Sequence, residues 1–406
     1  MSRSVVIVGG GIAGVSTAAA LRSQGFDGEV TLVDAGEFPY DRPPLSKDFL
    51  AGTRSLEQIA LQPPSWYDDQ HVRLVNRATV TALRPGEAKL ELSDGALLSA
   101  DRVVLATGAG AARPPVPGAR SPRVHVLRTA DDADRLRTAL MPGARILVVG
   151  AGLIGAESAS TAVRLGCEVT LLDPVAVPLT AVLGPELAEW VHGLHACNGI
   201  TTRQTLVESF TDLGDAGIEA RLADGSPAHT YDAVLLGVGM VPHTGLAEQA
   251  GLKVDRGIVV DFGQVTSNPA VLAVGDSARA RDDEGVLLPC AEHWEAAQTD
   301  GARAAATILG TSRPAATASW FWTDRHERHI EGVGHMARAS DTVVRGSFGD
   351  PSFAVFGMRD GLVVAAAAVD DSAAVRAARR MIDRRIPADP GRLTDPSVSL
   401  RTLLRG

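Results

Sequence analysis

The stretch Val5-Val6-Ile7-Val8-Gly9-Gly10-Gly11-Ile12-Ala13-Gly14, near the start of the 406-residue chain, decides the fold. Its run of four β-branched residues predicts a buried parallel strand. The glycines that follow have the G-x-G-x-x-G spacing and open a helix that we expect to end near Gln24. Gly9 makes the tight turn, Gly11 lets a pyrophosphate approach the backbone, and Gly14 lets the helix pack close to the strand. The N-terminus of that helix offers N–H groups to the phosphates.

A second predicted strand, Glu29 to Val33, ends at Asp34, where a carboxylate can bind a ribose hydroxyl. A lone match of this kind is weak evidence, because other nucleotide-binding and adenosine-binding folds share it. The chain repeats the whole pattern, with a strand at 145–149, a helix to about Gly166 and a strand at 168–172. The repeat contributes a second set of glycines and a second acid, which are Gly150, Gly152, Gly155 and Asp173.

Two such units, each with the correct strand, helix and acid, predict an α/β protein that holds two dinucleotides. The usual purpose of that arrangement is to place a nicotinamide against a flavin. Two ordinary βαβ turns without a ligand remain the alternative interpretation.

Composition excludes several other classes of protein. The formal net charge is −9, which gives no support for nucleic-acid binding. No run of about 18 apolar residues predicts a membrane span. The N-terminus leads almost directly into the first strand, so we expect no signal peptide and a cytoplasmic protein. The cysteines, Cys167, Cys197 and Cys290, form no C-x-x-C pair, so we expect neither a disulfide framework nor a metal site.

After Asp34 the chain reads Pro39-Tyr40, then Arg42-Pro43-Pro44 and Leu45-Ser46-Lys47. The adjacent prolines fix the backbone, and Ser46 is predicted to cap a short helix. This loop resembles the flavin-side loop of the NADH-dependent ferredoxin reductases that serve bacterial haem monooxygenases and aromatic-ring dioxygenases. Rubredoxin reductases and the mitochondrial apoptosis-inducing oxidoreductases are similar. The resemblance implies that Arg42 and Lys47 lie against FAD, with Lys47 near the reactive edge of the isoalloxazine. A solvated Arg and Lys in a polar loop is the alternative.

Further stretches resemble flavin-binding motifs of the same family. The resemblance implies that FAD contacts Ala106-Thr107-Gly108 at the end of a strand. It also implies that Asp276, after Gly275, binds the ribityl chain, and that Glu292-His293-Trp294 lies beside the flavin at the start of a helix. His293 stands where the family's motif has Ser, and Ala296 stands where it has Asn, so the polar contacts around Trp294 differ from those of the family. A core histidine is the alternative for His293. Alternating runs from Val72 to Ser93 predict an inserted β-meander.

Three features bear on the nicotinamide side. Glu157 is predicted in the first helical turn after Gly155, and the family implies an ion pair with Lys47. A glutamate favoured by the helix dipole is the alternative. Asp173 is followed by no basic residue in 174–178, which favours NADH over NADPH. We expect the nicotinamide end of NADH near Gly237 and Gly239, although a structural turn would also need these glycines.

The C-terminal part begins with Trp320-Phe321-Trp322-Thr323-Asp324-Arg325, which resembles a family segment reading Phe-Trp-Ser-Asp-Gln. We expect Trp322, with Trp294, to wall the flavin, while Trp320 and Phe321 serve packing. From Trp320 onward, 13 Arg or Lys against 11 Asp or Glu give +2, so the remainder is −11. A basic helix could steer an acidic ferredoxin or could be an ordinary solvated face; its arginines are Arg376, Arg379, Arg380, Arg384 and Arg385.

Taken over the whole chain, the resemblance implies two Rossmann-like dinucleotide-binding domains in a glutathione-reductase-like architecture, followed by a C-terminal α+β domain. The implied limits are 1–112 with 241–319 for FAD, 113–240 for NAD and 320–406 for the last domain. The implied activity is hydride transfer from NADH to FAD, then single-electron transfer to an iron–sulfur ferredoxin that feeds an oxygenase.

We expect that ferredoxin to carry a two-iron two-sulfur cluster, and the reductase to be a monomer or homodimer. Lys47 and Glu157 would order the reactive edge of the flavin. A rubredoxin reductase, an NADH oxidase or a redox-sensing interaction protein of the same architecture remains possible on sequence alone.

The ribose argument predicts the effect of Asp173→Ala. Loss of the acceptor for the ribose hydroxyls should raise the KM for NADH by about tenfold or more, while bound FAD is retained. Steady-state kinetics and the flavin content of the purified variant check this. Unchanged NADH kinetics would refute the assignment.

Overall fold

The computed structural model describes residues 3–87, 89–282 and 284–404. The chain divides into two compact units. The first contains Met1–Arg42, Arg54–Gly110 and Met240–Ala315. The second contains Pro43–Thr53, Ala111–Gly239 and Ala316–Gly406. The predicted division into three domains stays a prediction, because the second unit includes both the NAD-type segment and the C-terminal segment.

Strands of the N-terminal half are β1 (Ser4–Val8), β2 (Glu29–Val33), β3 (Val72–Val75), β4 (Val80–Arg84), β5 (Lys89–Leu92), β6 (Leu97–Ser99), β7 (Arg102–Leu105), β8 (Ala109–Ala111), β9 (Val124–Val126), β10 (Arg145–Val149), β11 (Glu168–Asp173) and β12 (Thr201–Gln204). Those of the C-terminal half are β13 (Val207–Asp212), β14 (Ile218–Leu222), β15 (His229–Tyr231), β16 (Ala233–Leu236), β17 (Met240–Pro242), β18 (Ile258–Val260), β19 (Val271–Ala273), β20 (Ala278–Ala280), β21 (Trp320–Arg325), β22 (Arg328–Gly334), β23 (Asp341–Arg345), β24 (Phe353–Arg359) and β25 (Leu362–Val369).

The α-helices are α1 (Ile12–Ser23), α2 (Pro64–Asp69), α3 (Ala130–Arg137), α4 (Leu153–Arg164), α5 (Thr180–Leu183), α6 (Pro185–Cys197), α7 (Gly245–Gln249), α8 (Trp294–Leu309), α9 (Ser372–Arg384), α10 (Pro390–Thr394) and α11 (Leu400–Leu403). A 3-10 turn over Pro43–Ser46 belongs to the second unit. Among the described residues, none of the helices is both long and apolar enough to cross a lipid bilayer.

The first unit is built on a parallel sheet with strand order β19-β7-β1-β2-β3. Successive side chains of β1 point to opposite faces of the sheet, so both faces are buried. Val5 and Ile7 enter a core formed with α1 and α8. Val6 and Val8 enter a second core that includes the small antiparallel sheet β4-β5-β6. This two-sided burial explains why β1 is apolar at each of these positions.

Helices α1 and α8 pack closely because Gly301 faces the backbone of α1. A Cβ atom at Gly301 would lie 2.8 Å from the carbonyl oxygen of Ala13 and 2.8 Å from the backbone nitrogen of Thr17. Any larger residue at Gly301 would therefore push the two helices apart.

Among the described residues, the second unit contains two five-stranded sheets and the small antiparallel sheet β13-β14-β15. The five-stranded parallel sheet has the order β12-β11-β10-β16-β9, and the five-stranded antiparallel sheet has the order β21-β22-β25-β24-β23. Helix α9 covers one face of the antiparallel sheet, where Ala374, Val375 and Ala378 pack on alanines of β25. The other face packs against α5 and α6. The expected α/β fold with two dinucleotide-type sheets and a C-terminal α+β part is confirmed.

One element of the predicted meander is wrong. Strand β3 pairs with β2 in parallel and completes the first sheet, whereas β5 pairs with both β4 and β6 in an antiparallel meander. The physical reason is the connection: α2 lies between β2 and β3, and such a crossover returns the chain parallel to the preceding strand.

Gly301→Ala should lower the free energy of unfolding by about 2–3 kcal/mol, because the new methyl group overlaps backbone atoms of α1. Gly193→Ala is the matched control, since Gly193 lies inside α6 and its Cβ would meet nothing within 4 Å. That exposed substitution should instead stabilise the protein by about 1 kcal/mol. Urea denaturation of both variants measures the difference, and equal stabilities would contradict the packing argument.

Candidate functional site

The two glycine-rich turns have the same geometry, one in each unit. Gly9 has φ +113°, and a Cβ there would lie 2.2 Å from the carbonyl oxygen of Ala106. Gly150 has φ +100°, and its Cβ would lie 2.3 Å from the carbonyl oxygen of Gly237. In both turns the backbone therefore passes against the end of a neighbouring strand, which only glycine permits.

The remaining glycines divide into a packing position and an open position. A Cβ at Gly14 or Gly155 would lie 2.0 or 1.9 Å from the carbonyl oxygen of Gly9 or Gly150, respectively. A Cβ at Gly11 or Gly152 would meet nothing within 4 Å. Since Gly11 and Gly152 are the N-cap residues of α1 and α4, open space lies before each helix N-terminus.

That open space fits the phosphates of a dinucleotide. In the described chain neither α1 nor α4 has a side-chain cap or an acid in its first turn. The first N–H groups and the positive end of the helix dipole are thus left for an anionic ligand.

A carboxylate stands at the expected place beside each turn. The backbone N–H of Gly10 donates to Asp34 Oδ1 at 3.4 Å. Asp173 accepts from the N–H of Ala151 at 2.8 Å and from the N–H of Val175 at 2.8 Å. An ionised carboxylate has lone pairs beyond these bonds, which can accept the hydroxyls of a ribose.

Other predicted residues of the first unit are held by local contacts. Thr107 Oγ1 donates to the carbonyl oxygen of His243 at 2.8 Å, and Gly108 has φ +65°. The indole N–H of Trp294, the first residue of α8, donates to Asp41 Oδ1 at 2.8 Å. This bond ties the start of α8 to the loop that carries Arg42.

Sequence reasoning missed Asp300, which lies beside the Gly275-Asp276 motif. The N–H of Gly275 donates to Asp300 Oδ2 at 3.3 Å. Burial raises the pKa of Asp300 to about 6, and the neighbouring Asp276 contributes to the rise. Asp300 follows the motif by more than 20 residues, so only the fold reveals it.

In the second unit the structure brings three predicted catalytic residues together. Lys47 Nζ lies 3.8 Å from Glu157 Oε1, and it lies 5.6 Å from the centre of a ring of Trp322. Its shortest contact is to an unpredicted residue, Asp324, at 2.6 Å to Oδ2. Lys47 is therefore shared between two carboxylates and an aromatic face.

Glu157 is the buried centre of this group. Its carboxylate accepts from Ser46 Oγ at 2.5 Å, from Thr323 Oγ1 at 2.8 Å and from the N–H of Asp324 at 3.2 Å. Glu157 is the fifth residue of α4, so its predicted place in the first turn is wrong. The side chain points into this hydrogen-bond network rather than serving the helix terminus.

Ser46 does not cap a helix, contrary to the prediction. It is the last residue of the 3-10 turn over Pro43–Ser46, and its hydroxyl is used by Glu157. The carbonyl oxygen of Ser46 also accepts from Thr161 Oγ1 at 2.8 Å. Two contacts with α4 thus hold the loop, and they determine where its serine points.

The network continues from Asp324 along β21 and β22. His329 Nδ1 lies 2.5 Å from Asp324 Oδ1, and His329 Nε2 lies 2.8 Å from Glu331 Oε1. These two hydrogen bonds raise the pKa of His329 to about 10. Although burial opposes the change, hydrogen bonds from His329 and Lys47 lower the pKa of Asp324 to about 2.

A buried cation lies on the opposite side of β21. Arg325 is 3% exposed and donates to Thr323 Oγ1 at 3.1 Å. Burial lowers the pKa of Arg325 to about 10, and the negative charge of Glu157 acts in the opposite direction. Glu157 thus compensates two cations, Lys47 and Arg325.

Glu157→Ala should therefore lower the free energy of unfolding by about 3 kcal/mol, because it leaves buried donors and a buried guanidinium without their anion. Glu157→Gln keeps an oxygen that can accept hydrogen bonds, so it should lower the free energy of unfolding by less. The control is Glu189→Ala on the exposed face of α6, which should change stability by no more than about 0.5 kcal/mol. Equal stability of the Glu157 and Glu189 variants in urea denaturation would contradict this role.

Comparison with known proteins identifies the family. Residues 3–301 match the family model described as pyridine nucleotide-disulphide oxidoreductase, and residues 320–404 match the one described as reductase C-terminal. A putidaredoxin reductase from Pseudomonas putida is 36% identical, covering 99% of this chain and 96% of that protein. The ferredoxin reductase component of a chlorobenzene dioxygenase from a Cupriavidus strain is also 36% identical, covering 100% and 98%.

Solved structures agree with this result. The reductase in the covalent putidaredoxin reductase–putidaredoxin complex has a TM-score of 0.90 at 34% identity, covering 99% of this chain and 98% of that chain. A ferredoxin reductase from Rhodopseudomonas palustris has a TM-score of 0.91 at 30% identity, covering 98% and 99%. The chain therefore belongs to the pyridine nucleotide-disulphide oxidoreductase family, among the ferredoxin reductases that end in a reductase C-terminal domain.

Proposed function

We propose that this protein is an FAD-dependent oxidoreductase that takes hydride from NADH and passes single electrons to an iron–sulfur ferredoxin. That ferredoxin supplies a monooxygenase or dioxygenase. The observation that carries this proposal is the pair of glycine turns, each with an open helix N-terminus and an adjacent carboxylate. The near full-length relatives named as ferredoxin reductase components support the same reaction.

The first unit holds FAD and the second holds NADH. On the FAD side the proposed residues are Gly9, Gly11, Gly14, Asp34, Arg42, Ala106, Thr107, Gly108, Gly275, Asp276, Glu292, His293 and Trp294. On the NADH side they are Gly150, Gly152, Gly155, Asp173, Gly237 and Gly239. Bound FAD supplies the redox chemistry, since a flavin accepts a hydride and releases electrons one at a time. We propose that the protein works in the cytoplasm, because its reaction consumes NADH.

The protein's own residues supply position and charge. Asp173, already held by two backbone N–H groups, accepts the ribose hydroxyls of NADH and repels a 2′-phosphate. Lys47 is held by Asp324 and Glu157. Its proposed role at the reactive edge of the flavin rests on the loop motif. Trp322 stacks on Trp320 with ring centres 4.9 Å apart, which keeps the Trp322 ring rigid as a wall.

The cysteines support an external electron acceptor rather than an internal disulfide. All three are free. Burial raises the pKa values of the Cys167 and Cys290 thiols, so both resist forming the reactive thiolate. This favours an electron acceptor outside the chain over a thiol next to the flavin.

The exposed side of α9 is the surface we propose for steering that partner. Arg376, Arg380 and Arg384 recur every four residues, so they share one face of the helix, and each is exposed. The face is basic on a chain whose net charge is −9. Such a face raises the encounter rate with an acidic ferredoxin.

Anaerobic titration of the purified protein with NADH tests the redox function. We expect a yellow protein that NADH bleaches, and that then reduces a two-iron two-sulfur ferredoxin much faster than oxygen. A colourless protein that takes up no FAD would overturn the proposal. Equal turnover with oxygen would favour an NADH oxidase, turnover only with rubredoxin a rubredoxin reductase, and slow reoxidation by every acceptor a redox-sensing protein.

Replacing Arg376, Arg380 and Arg384 together by Gln should raise the KM for ferredoxin by about tenfold at low ionic strength, because steering is lost. Turnover with ferricyanide, a small acceptor, should not change. The matched control replaces three exposed arginines elsewhere by Gln, namely Arg73, Arg120 and Arg221. An equal effect of both triple variants on ferredoxin would show that only the net charge matters.

A further inference from the structure

Four charged side chains of the second unit form a line of alternating sign. Lys47 contacts Asp324 at 2.6 Å, Asp324 contacts His329 at 2.5 Å, and His329 contacts Glu331 at 2.8 Å. Asp324 and His329 face each other across β21 and β22, where they are register partners. The line thus begins at the predicted flavin-edge lysine and follows two paired strands.

Both nitrogens of His329 must carry protons. Each nitrogen meets a carboxylate oxygen, and an ionised carboxylate can only accept hydrogen bonds. The imidazole ring therefore donates in both directions and carries a positive charge. The raised pKa of His329, about 10, agrees with the geometry.

Asp324 divides its charge between two cations. Oδ2 binds Lys47 while Oδ1 binds His329. The more strongly His329 holds this carboxylate, the less negative charge remains for Lys47. Lys47 also has a second carboxylate, Glu157, at 3.8 Å.

We propose that His329, by bridging Asp324 and Glu331, is a positioning residue that limits the hold of Asp324 on Lys47 and so keeps the Lys47 ammonium shared with Glu157. If His329 is absent or neutral, Asp324 binds Lys47 alone, and the ammonium is held more tightly on the Asp324 side. The charge on His329 therefore adjusts the position of Lys47 from a distance.

Other polar groups around His329 keep the bridge in place. Asp370, at the end of β25, accepts from the backbone N–H of His329 at 3.0 Å and binds Arg328 at 3.0 Å. Glu331 accepts from the indole N–H of Trp320 at 2.9 Å and from the hydroxyl of Ser372, the first residue of α9. Burial opposes the shift, but hydrogen bonds from His329, Ser372 and Trp320 lower the pKa of Glu331 to about 2.

These neighbours also determine the pH range of the bridge. The pKa of His329 is raised in the folded protein. The stabilisation that its protonated ring gives to the folded protein is therefore complete below the ordinary histidine pKa of about 6.5. That contribution is lost as the pH rises through about 10. Asp324 and Glu331 have lowered pKa values, so their part is present at neutral pH and lost only toward about pH 2.

The chain offers a direct probe of Lys47, because its lysines are only Lys47, Lys89 and Lys253. Trace labelling of the holoenzyme with acetic anhydride at pH 8, read by mass spectrometry, reports how tightly each amine is held. Lys253 is exposed and serves as the internal reference. We expect His329→Gln to lower the labelling of Lys47 relative to Lys253 by about two- to fivefold.

Two matched variants separate charge from structure. His329→Arg keeps a cation beside Asp324 and should restore the labelling of Lys47 toward the wild-type ratio. His335→Gln removes an exposed histidine of the same unit and should leave the ratio unchanged. An unchanged ratio in His329→Gln, or a loss in His329→Arg equal to that in His329→Gln, would overturn the proposal.

A second measurement uses the wild-type protein and needs no variant. Nitrogen-15 NMR of histidine-labelled protein at pH 8 should show both His329 nitrogens protonated, and a neutral ring at that pH would overturn the proposal. The importance of Lys47 for catalysis rests on the proposed function, but the labelling ratio does not. Absence of NADH bleaching in the wild-type protein would end the proposed function and leave the labelling result intact.

Discussion

The close approach of two backbone segments is the constraint on which each dinucleotide unit depends. Gly9 lies against the carbonyl group of Ala106, and Gly150 lies against that of Gly237, with no room for a side chain at either glycine. Because the turns are this tight, α1 begins at Ile12 soon after β1 ends at Val8, and α4 begins at Leu153 soon after β10 ends at Val149. Their N-termini then face open space beside Asp34 and Asp173, which is what a dinucleotide requires.

The second unit adds a buried anion to this scaffold. Glu157 is placed by α4, so the same glycine turn that opens toward a phosphate also determines where this carboxylate lies. Around it gather the hydroxyls of Ser46 and Thr323, with Lys47 and the buried Arg325 as counter-charges. Helix α4 therefore supplies both the N-terminus that faces the open space and the buried carboxylate of Glu157.

The sequence predicted the parts of the protein that depend on local pattern. Runs of β-branched residues and glycine spacing placed β1, α1, β10 and α4 correctly, because burial and tight turns restrict those positions directly. The role of Asp324 could not be predicted, since it depends on contacts with Lys47, 277 residues away. The assignment of β3 failed for a similar reason, because its sheet partner is decided by a crossover rather than by its own residues.

The short segment Pro43–Thr53 belongs to the second unit although both of its flanks belong to the first. Any exchange of the C-terminal region between relatives must therefore treat this segment as part of the transplanted piece. A chimera that replaces only residues after 315 would join a foreign β21 to the native Lys47, which contacts Asp324 of that strand. The breakpoints of such a chimera must therefore include the segment Pro43–Thr53, which lies far upstream of residue 315 in the sequence.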